Sequence, residues 1–398
     1  MTQQAFAIIS GAGVGGLAAA LELQRAGWRV LVLERAADLR DGGHMMGLSG
    51  PGMAAVRRMG LLTQLRAVAY PDRGEHVYRD RRGRTVLRLN YRELLKDIDW
   101  LTLRRTELVR VLCEALDQSV ELRYGVHITA VDNQPAQVSV TLSDGATMHA
   151  DLLVVAEGVH SRLRQQLFAP DSGCLRPLGY RYASYDVPDV LQLGQEFLSY
   201  AEPGLQSEYY GLDQQRLAAL HVWRSAEHGE VAPAERRALL ERITVRSHAQ
   251  VRSILGAVDA QQAVVIDDLA MVELPRWHQG RVLLLGDAAH SLSLISGQGA
   301  GMALASAGVL AQELGKLGAG APQQDTLTAA LMRHEQRLRP SVLKLQERSR
   351  RLAPAFVPSS ALGFYLRNLA MRAAPDAMLK RYFLNGLKTE AEAVAALA

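Results

Sequence analysis

Residues 5–35 read AFAIISGAGVGGLAAALELQRAGWRVLVLER, and this stretch leaves the chain little freedom. A short apolar run, Ala7-Ile8-Ile9, meets Gly11, Gly13 and Gly16. Leu17, Leu21 and Leu23 then mark one face of a helix that ends near Gly27, a natural helix-terminating residue. A second apolar run, RVLVL, closes on Glu34 and Arg35. The pattern predicts strand, glycine loop, helix and strand, a dinucleotide-binding unit. Gly11 permits the tight turn, Gly13 lets a pyrophosphate approach the backbone, and Gly16 lets helix and strand pack closely. The helix start, from Val14, offers free N–H groups and the positive end of a dipole. Glu34, about twenty residues on, can accept hydrogen bonds from a ribose diol. An acid there would repel a 2′-phosphate, so FAD or NAD suits the site better than NADP.

A second stretch, RVLLLGDAAHSLSLISGQGAG over 281–301, supplies the far side of the same site. Its apolar run stops at Gly286 and Asp287, where a carboxylate can bond a sugar-like hydroxyl chain. Gly297, Gly299 and Gly301, with Ala300 among them, bare the backbone N–H groups at the start of a long helix. Such a helix start stabilises negative charge, which a reduced flavin carries at its N1–C2 carbonyl edge.

Between these stretches, LRRTELVRVLCEAL (103–116) predicts an amphipathic helix with Leu108, Val111, Leu112 and Leu116 inward. Arg104 and Arg105 at its start read equally as solvated charge or as site groups. A strand at Val138–Leu142, a turn at Asp144-Gly145 and a buried strand ending in Glu157-Gly158 follow. From about 175 to 275, alternating apolar stretches surround a helical piece, predicting an antiparallel sheet that could wall a pocket. Tyr185, Tyr209, Tyr210, His221 and Trp223 are its candidate substrate contacts, with Leu294 from the second glycine stretch. Beyond about 320 the chain reads helical, with a break at Pro340.

The 398 residues are too many for one small core. The expected division is an FAD-binding domain from 1–74, 100–174 and 275–345, a substrate domain from 75–99 and 175–274, and a C-terminal helical segment, 346–398. With a hydrophobic fraction of 48% and a net charge of +4 spread through the chain, nothing favours nucleic acid or stable membrane insertion. Cys113 and Cys174 lack metal-ligand or disulfide spacing, so no metal site is expected and a reducing cytoplasm is. The N-terminus lacks the pattern of a signal peptide.

Together these motifs resemble the class A flavin monooxygenases, the group of para-hydroxybenzoate hydroxylase, which includes aromatic hydroxylases and tetracycline-inactivating monooxygenases. GAGVGG with Glu34-Arg35 resembles the first FAD motif, DLLVVAEGVHSRLR the second, and RVLLLGDAAHSLSLISGQGAG the third. LRRTEL resembles an Arg-x-x-Leu element that would place Arg105 near FAD. The resemblance spans roughly 5–345. It implies an α/β fold with a Rossmann-like FAD-binding domain of the para-hydroxybenzoate hydroxylase type, an inserted antiparallel-sheet substrate domain and C-terminal helices. It also implies FAD as cofactor and NADPH or NADH as a transient reductant. Molecular oxygen would react through a flavin C4a-hydroperoxide to hydroxylate an aromatic or polycyclic small molecule, in a monomer or homodimer. No catalytic side chain is required. Two departures stand out: Glu157 where the family carries Asp, and Leu294 and Ser291 where it carries prolines. His44, in the loop that the family lays along the flavin, reads better as a surface histidine than as a flavin contact. Met45 and Met46 are candidates for the flavin edge. Two other readings remain: a reductase or dehydrogenase of the same fold, and a non-catalytic flavoprotein that sequesters a ligand. A halogenase is disfavoured, because none of the four Trp residues sits in a Trp-x-Trp-x-x-Pro motif.

Overall fold

The computed structural model describes residues 4–38, 45–70, 75–90, 93, 98–193, 196–212, 215–259, 263–318 and 320–373. His44 lies outside them. The first predicted unit forms as read: strand Phe6–Ser10, helix Val14–Arg25, strand Arg29–Glu34. Its two strands pair in parallel and centre a sheet ordered Val282–Leu284, Leu152–Val155, Phe6–Ser10, Arg29–Glu34, Glu121–Tyr124. A short antiparallel edge, His278–Gln279, completes it.

Both faces of this sheet are covered, which is why its strands read as continuous apolar runs. Ala7, Ile9, Val30 and Val32 face one way, against Leu17 and Leu21 of the first helix and Leu304 and Leu310 of helix Gly299–Gly315. Ile8, Leu31 and Leu33 face the other way, toward Val138, Val140 and Leu142 of a three-stranded antiparallel layer and Leu338, Val342 and Leu345 of the C-terminal helix.

That C-terminal helix corrects one expectation. It runs unbroken from Gln324 to Phe356 with Pro340 and Pro354 inside it. A proline removes one helical N–H and crowds the preceding turn, but Pro340 lies on the exposed face. Leu338 and Val342 hold the buried face on either side of it, and Arg337 pairs with the buried Glu313 at 2.8 Å. Packing outweighs the local cost.

The same helix buries His334, whose Nε2 lies 3.0 Å from Ser306 Oγ. Burial lowers its pKa to about 3. Below pH ~6.5 the unfolded chain therefore binds a proton here that the folded chain does not, so stability falls as the pH falls. Replacing His334 with Gln is expected to flatten the acid side of the stability profile by about 1.4 kcal/mol per pH unit. Urea melts at pH 4.5 and 6 test this; an unchanged pH slope contradicts it.

A seven-stranded sheet stands apart, ordered Val265–Val272, Leu175–Pro188, Arg216–Arg224, Leu205–Gly211, Phe197–Glu202, Glu75–Arg79, Thr85–Asn90. The expected all-antiparallel sheet has one exception: Phe197–Glu202 and Glu75–Arg79 pair in parallel. These two strands come from segments far apart in sequence, so no tight turn dictates their direction. Helices Pro233–Thr244 and Ala249–Gly256 cover one face, packing Leu240, Val251 and Ile254 against it. The other face looks toward the glycine loops across a cavity of about 1660 Å³.

Candidate active site

Three glycines of the first loop do different work. A Cβ on Gly16 would sit 1.8 Å from the Gly11 carbonyl oxygen. A Cβ on Gly11, whose φ is +107°, would sit 2.5 Å from the Ala156 oxygen. Both are demanded by the protein's own packing, and Gly16 lies behind the cavity wall rather than on it. Gly13 is different. Nothing but the Arg105 guanidinium, at 3.5 Å, would meet its Cβ, and it faces the cavity. Helix Val14–Arg25 begins there with no side-chain cap and no acid in its first turn. Its free N–H groups and dipole are left for an anion.

Glu34 lines the cavity beside Arg35. One carboxylate oxygen accepts the Ala12 N–H at 2.9 Å and the other the Ala36 N–H at 2.8 Å. These bonds orient the group, and a carboxylate oxygen keeps a second acceptor site for a hydroxyl donor.

At the opposite side, strand Val282–Leu284 delivers Gly286 at φ +62° and then Asp287. Asp287 is exposed and lines the cavity. Burial raises its pKa, and the Arg105 charge opposes the rise. No protein donor bonds it among the described residues. Next to it, helix Gly299–Gly315 starts without a side-chain cap or an early acid. A Cβ on Gly299 would meet only Asp287 Oδ1, at 3.6 Å. Gly297, at φ +66°, and Ala300 line the same wall.

These observations test the fit of FAD. Bare glycines that the protein does not need, two uncapped helix starts and a cavity-facing acid with no donor among the described residues share one cavity. The donors suit phosphates at Gly13–Val14, diols at Glu34 and Asp287, and an electron-rich ring edge at Gly297–Ala300. The residues fit the group.

The departures also find a physical account. Glu157 accepts Ser10 Oγ at 2.7 Å on one oxygen, and Ser161 Oγ at 2.8 Å and Leu163 N–H at 3.1 Å on the other. It links the end of strand Phe6–Ser10 to the start of helix Arg162–Leu167, and the carboxylate is largely satisfied within the chain. Ser291 Oγ donates to the Ala270 carbonyl at 3.3 Å, and Leu292 bridges Met271. The second glycine stretch is thereby tied to the edge strand of the cavity sheet. Ser293 takes φ +63°, a region side chains disfavour, and Leu294 follows it on the cavity wall beside Tyr182 and Phe356. Met45 and Met46 also line the cavity. Arg104, which the sequence leaves open, is buried and pairs with Asp186 of the cavity sheet at 2.7 Å.

The substrate candidates need correction. Tyr209 and Trp223 pack into the layer between the sheet and its helices, away from the cavity. His221 is fully buried there, between Tyr185 Oη at 2.7 Å and Ser207 Oγ at 2.8 Å, and burial lowers its pKa to about 4. Tyr185 touches the cavity, but its hydroxyl turns to His221. The reason is strand alternation: successive side chains point to opposite faces, and sequence does not say which. Tyr210, next to Tyr209, is on the cavity side, directly across from Phe197, which in turn pairs with His76. Glu208 and Tyr78 lie in the adjoining row, on either side of Ser199. Period-two alternation around Tyr210 would have separated these groups, given one anchored residue. His76 and Tyr78 carried no sequence signal.

A family model described as "FAD binding domain" matches residues 4–339. An uncharacterised protein of Mycobacterium tuberculosis is 30% identical over 325 residues, covering 77% of this chain and 84% of that protein. An FAD-dependent monooxygenase of Sarocladium schorii is 29% identical over 397 residues, covering 90% and 88%. Among solved structures, the tetracycline destructase Tet(55) aligns with a TM-score of 0.83 at 21% identity, covering 100% of this chain and 98% of that one. HpxO of Klebsiella pneumoniae, complexed with FAD and uric acid, aligns with a TM-score of 0.79 at 22% identity, covering 97% of each chain.

Proposed function

The chain belongs to the FAD-binding domain family and is an FAD-dependent monooxygenase, and on that premise we propose that it uses NAD(P)H and O2 to hydroxylate an aromatic or polycyclic small molecule. A natural product or antibiotic is the expected class of substrate. The observation that carries this reading is the shared cavity: a cofactor cradle on one side and an aromatic-lined sheet on the other. We assign residues 1–74, 100–174 and 275–345 to cofactor binding and 75–99 and 175–274 to the substrate, as the two walls suggest.

FAD held in this cradle would supply the redox chemistry between nicotinamide and oxygen. The chain's residues then have distinct tasks. Gly13, Val14 and the helix behind them hold phosphate. Glu34 and Asp287 accept hydroxyl hydrogens. Gly297, Gly299 and Ala300 present a helix start that favours negative charge on the ring edge, assisted electrostatically by Arg105. The Arg104–Asp186 pair holds the cavity sheet against the cradle. Leu294, Leu220, Tyr182 and Phe356 form an apolar layer where the walls meet, excluding water from the reacting centre.

Anaerobic NADPH or NADH is expected to bleach the 450 nm flavin band of the purified protein. An oxygen pulse is expected to restore it, and with substrate one atom of labelled O2 should enter the product. Product formed without oxygen would sink the monooxygenase chemistry, and failure of both nicotinamides to bleach the band would sink the assigned reductant.

A further inference from the structure

The cavity floor carries an acid that no basic side chain answers among the described residues. Glu208 is 6% exposed and sits in the middle of the sheet, facing the cavity. Its neighbours both act as donors: Gln206 Nε2 at 2.5 Å to one oxygen, Tyr210 Oη at 3.3 Å to the other. That arrangement suits an acceptor, a carboxylate, and leaves it further lone pairs. No basic side chain acts on it among the described residues. Burial alone pushes its pKa up, and a buried carboxylate without a counter-ion is costly. Two other acids of the cavity wall differ: Asp186 is paired with Arg104, and Asp267 with His160.

Beside Glu208 the floor is aromatic. The Tyr210 and Phe197 rings stack at 3.8 Å, and Phe197 and His76 at 3.2 Å. His76 does not supply the missing charge, since burial holds its pKa well below the usual value. A carboxylate set next to stacked ring faces is a chemistry that recognises an organic cation on an aromatic body.

We propose that Glu208, with Tyr210 and Phe197, selects substrates that carry a protonated amine on their aromatic or polycyclic skeleton. The proposal rests on the monooxygenase reading and names the substrate class of that same cavity. Glu208 is a specificity residue in this account and takes no part in the redox step.

The test titrates the FAD-loaded protein calorimetrically at pH 7 with two pairs of probes. Tetracycline is compared with 4-de(dimethylamino)tetracycline, and tyramine with 4-ethylphenol; the members of each pair differ in the basic nitrogen. In at least one pair the amine is expected to bind at least tenfold more tightly. Glu208→Gln is expected to abolish that preference with FAD content unchanged, and Glu208→Ala serves if the glutamine variant does not fold. Equal or reversed preference in both pairs, no binding by any probe, or a preference that persists in the variant overturns the proposal. FAD content and oxygen-dependent NAD(P)H oxidation are measured on the same preparations. A colourless or oxygen-indifferent wild type would instead count against the monooxygenase reading.

Discussion

Replacing Asp287 with alanine is expected to yield a folded protein that has lost most of its FAD. The carboxyl faces the cavity with no protein donor among the described residues, so a bound hydroxyl would be its main hydrogen-bond partner. A hydrogen bond to a charged group contributes about 1.5–3 kcal/mol, which is roughly a ten- to hundredfold change in Kd. The apo-protein should not suffer. Burial raises the pKa of Asp287, so the folded state holds this proton to higher pH than the unfolded chain does. Stability therefore falls as pH rises from the ordinary Asp range through the raised value. Removing the group lifts that cost, and apo-Asp287→Ala should melt no lower than apo-wild type at pH 7. Released flavin after gel filtration, with thermal melts of both apo-proteins, decides the matter. Full occupancy in the variant would show that Asp287 is not a cofactor ligand.

Gly16→Ala and Gly13→Ala are expected to fail in opposite ways. At Gly16 the new methyl would lie 1.8 Å from a backbone oxygen, and backbone has little room to yield. The first helix must lift from the strand it packs on, disturbing Leu17 and Leu21 in the main core. A loss of more than about 4 kcal/mol follows for such a core clash, enough to leave much of the protein insoluble. At Gly13 the methyl would meet only the tip of Arg105 at 3.5 Å, ordinary contact with a mobile side chain. Gly13→Ala should fold, melt within about 1 kcal/mol of wild-type stability, and bind FAD weakly, because the methyl occupies the phosphate's approach. If Gly13→Ala keeps normal FAD affinity, the phosphate does not approach the backbone at Gly13. If Gly16→Ala folds normally, the steric account of that glycine is wrong.

This contrast shows where the sequence is informative. Gly11, Gly13, Gly16 and Glu34 were legible because they lie within one strand–helix–strand unit, where spacing alone sets the geometry. Asp287, Gly297 and Gly299 were legible for a similar reason: a strand end and a helix start follow each other in one stretch. The short apolar runs likewise announced strands, which the structure pairs in parallel and covers on both faces. Pro340 misled, because the packing of Leu338 and Val342 overrides its local cost.

The substrate wall was barely legible. Tyr209 and Tyr210 are adjacent and equally suited to a pocket, yet one packs under the helices and the other faces the cavity. A shift of one residue in register would exchange them. Glu208, Phe197 and His76 meet only because strands distant in sequence pair side by side. Arg104 found Asp186, 82 residues away, for the same reason. By itself, then, the sequence determined the cofactor cradle, since its chemistry is carried by backbone, glycine and strand ends over short spans. Only the tertiary structure decided which side chains of the sheet face the cavity, since strand register and long-range pairing choose the face, and local spacing holds no record of that choice.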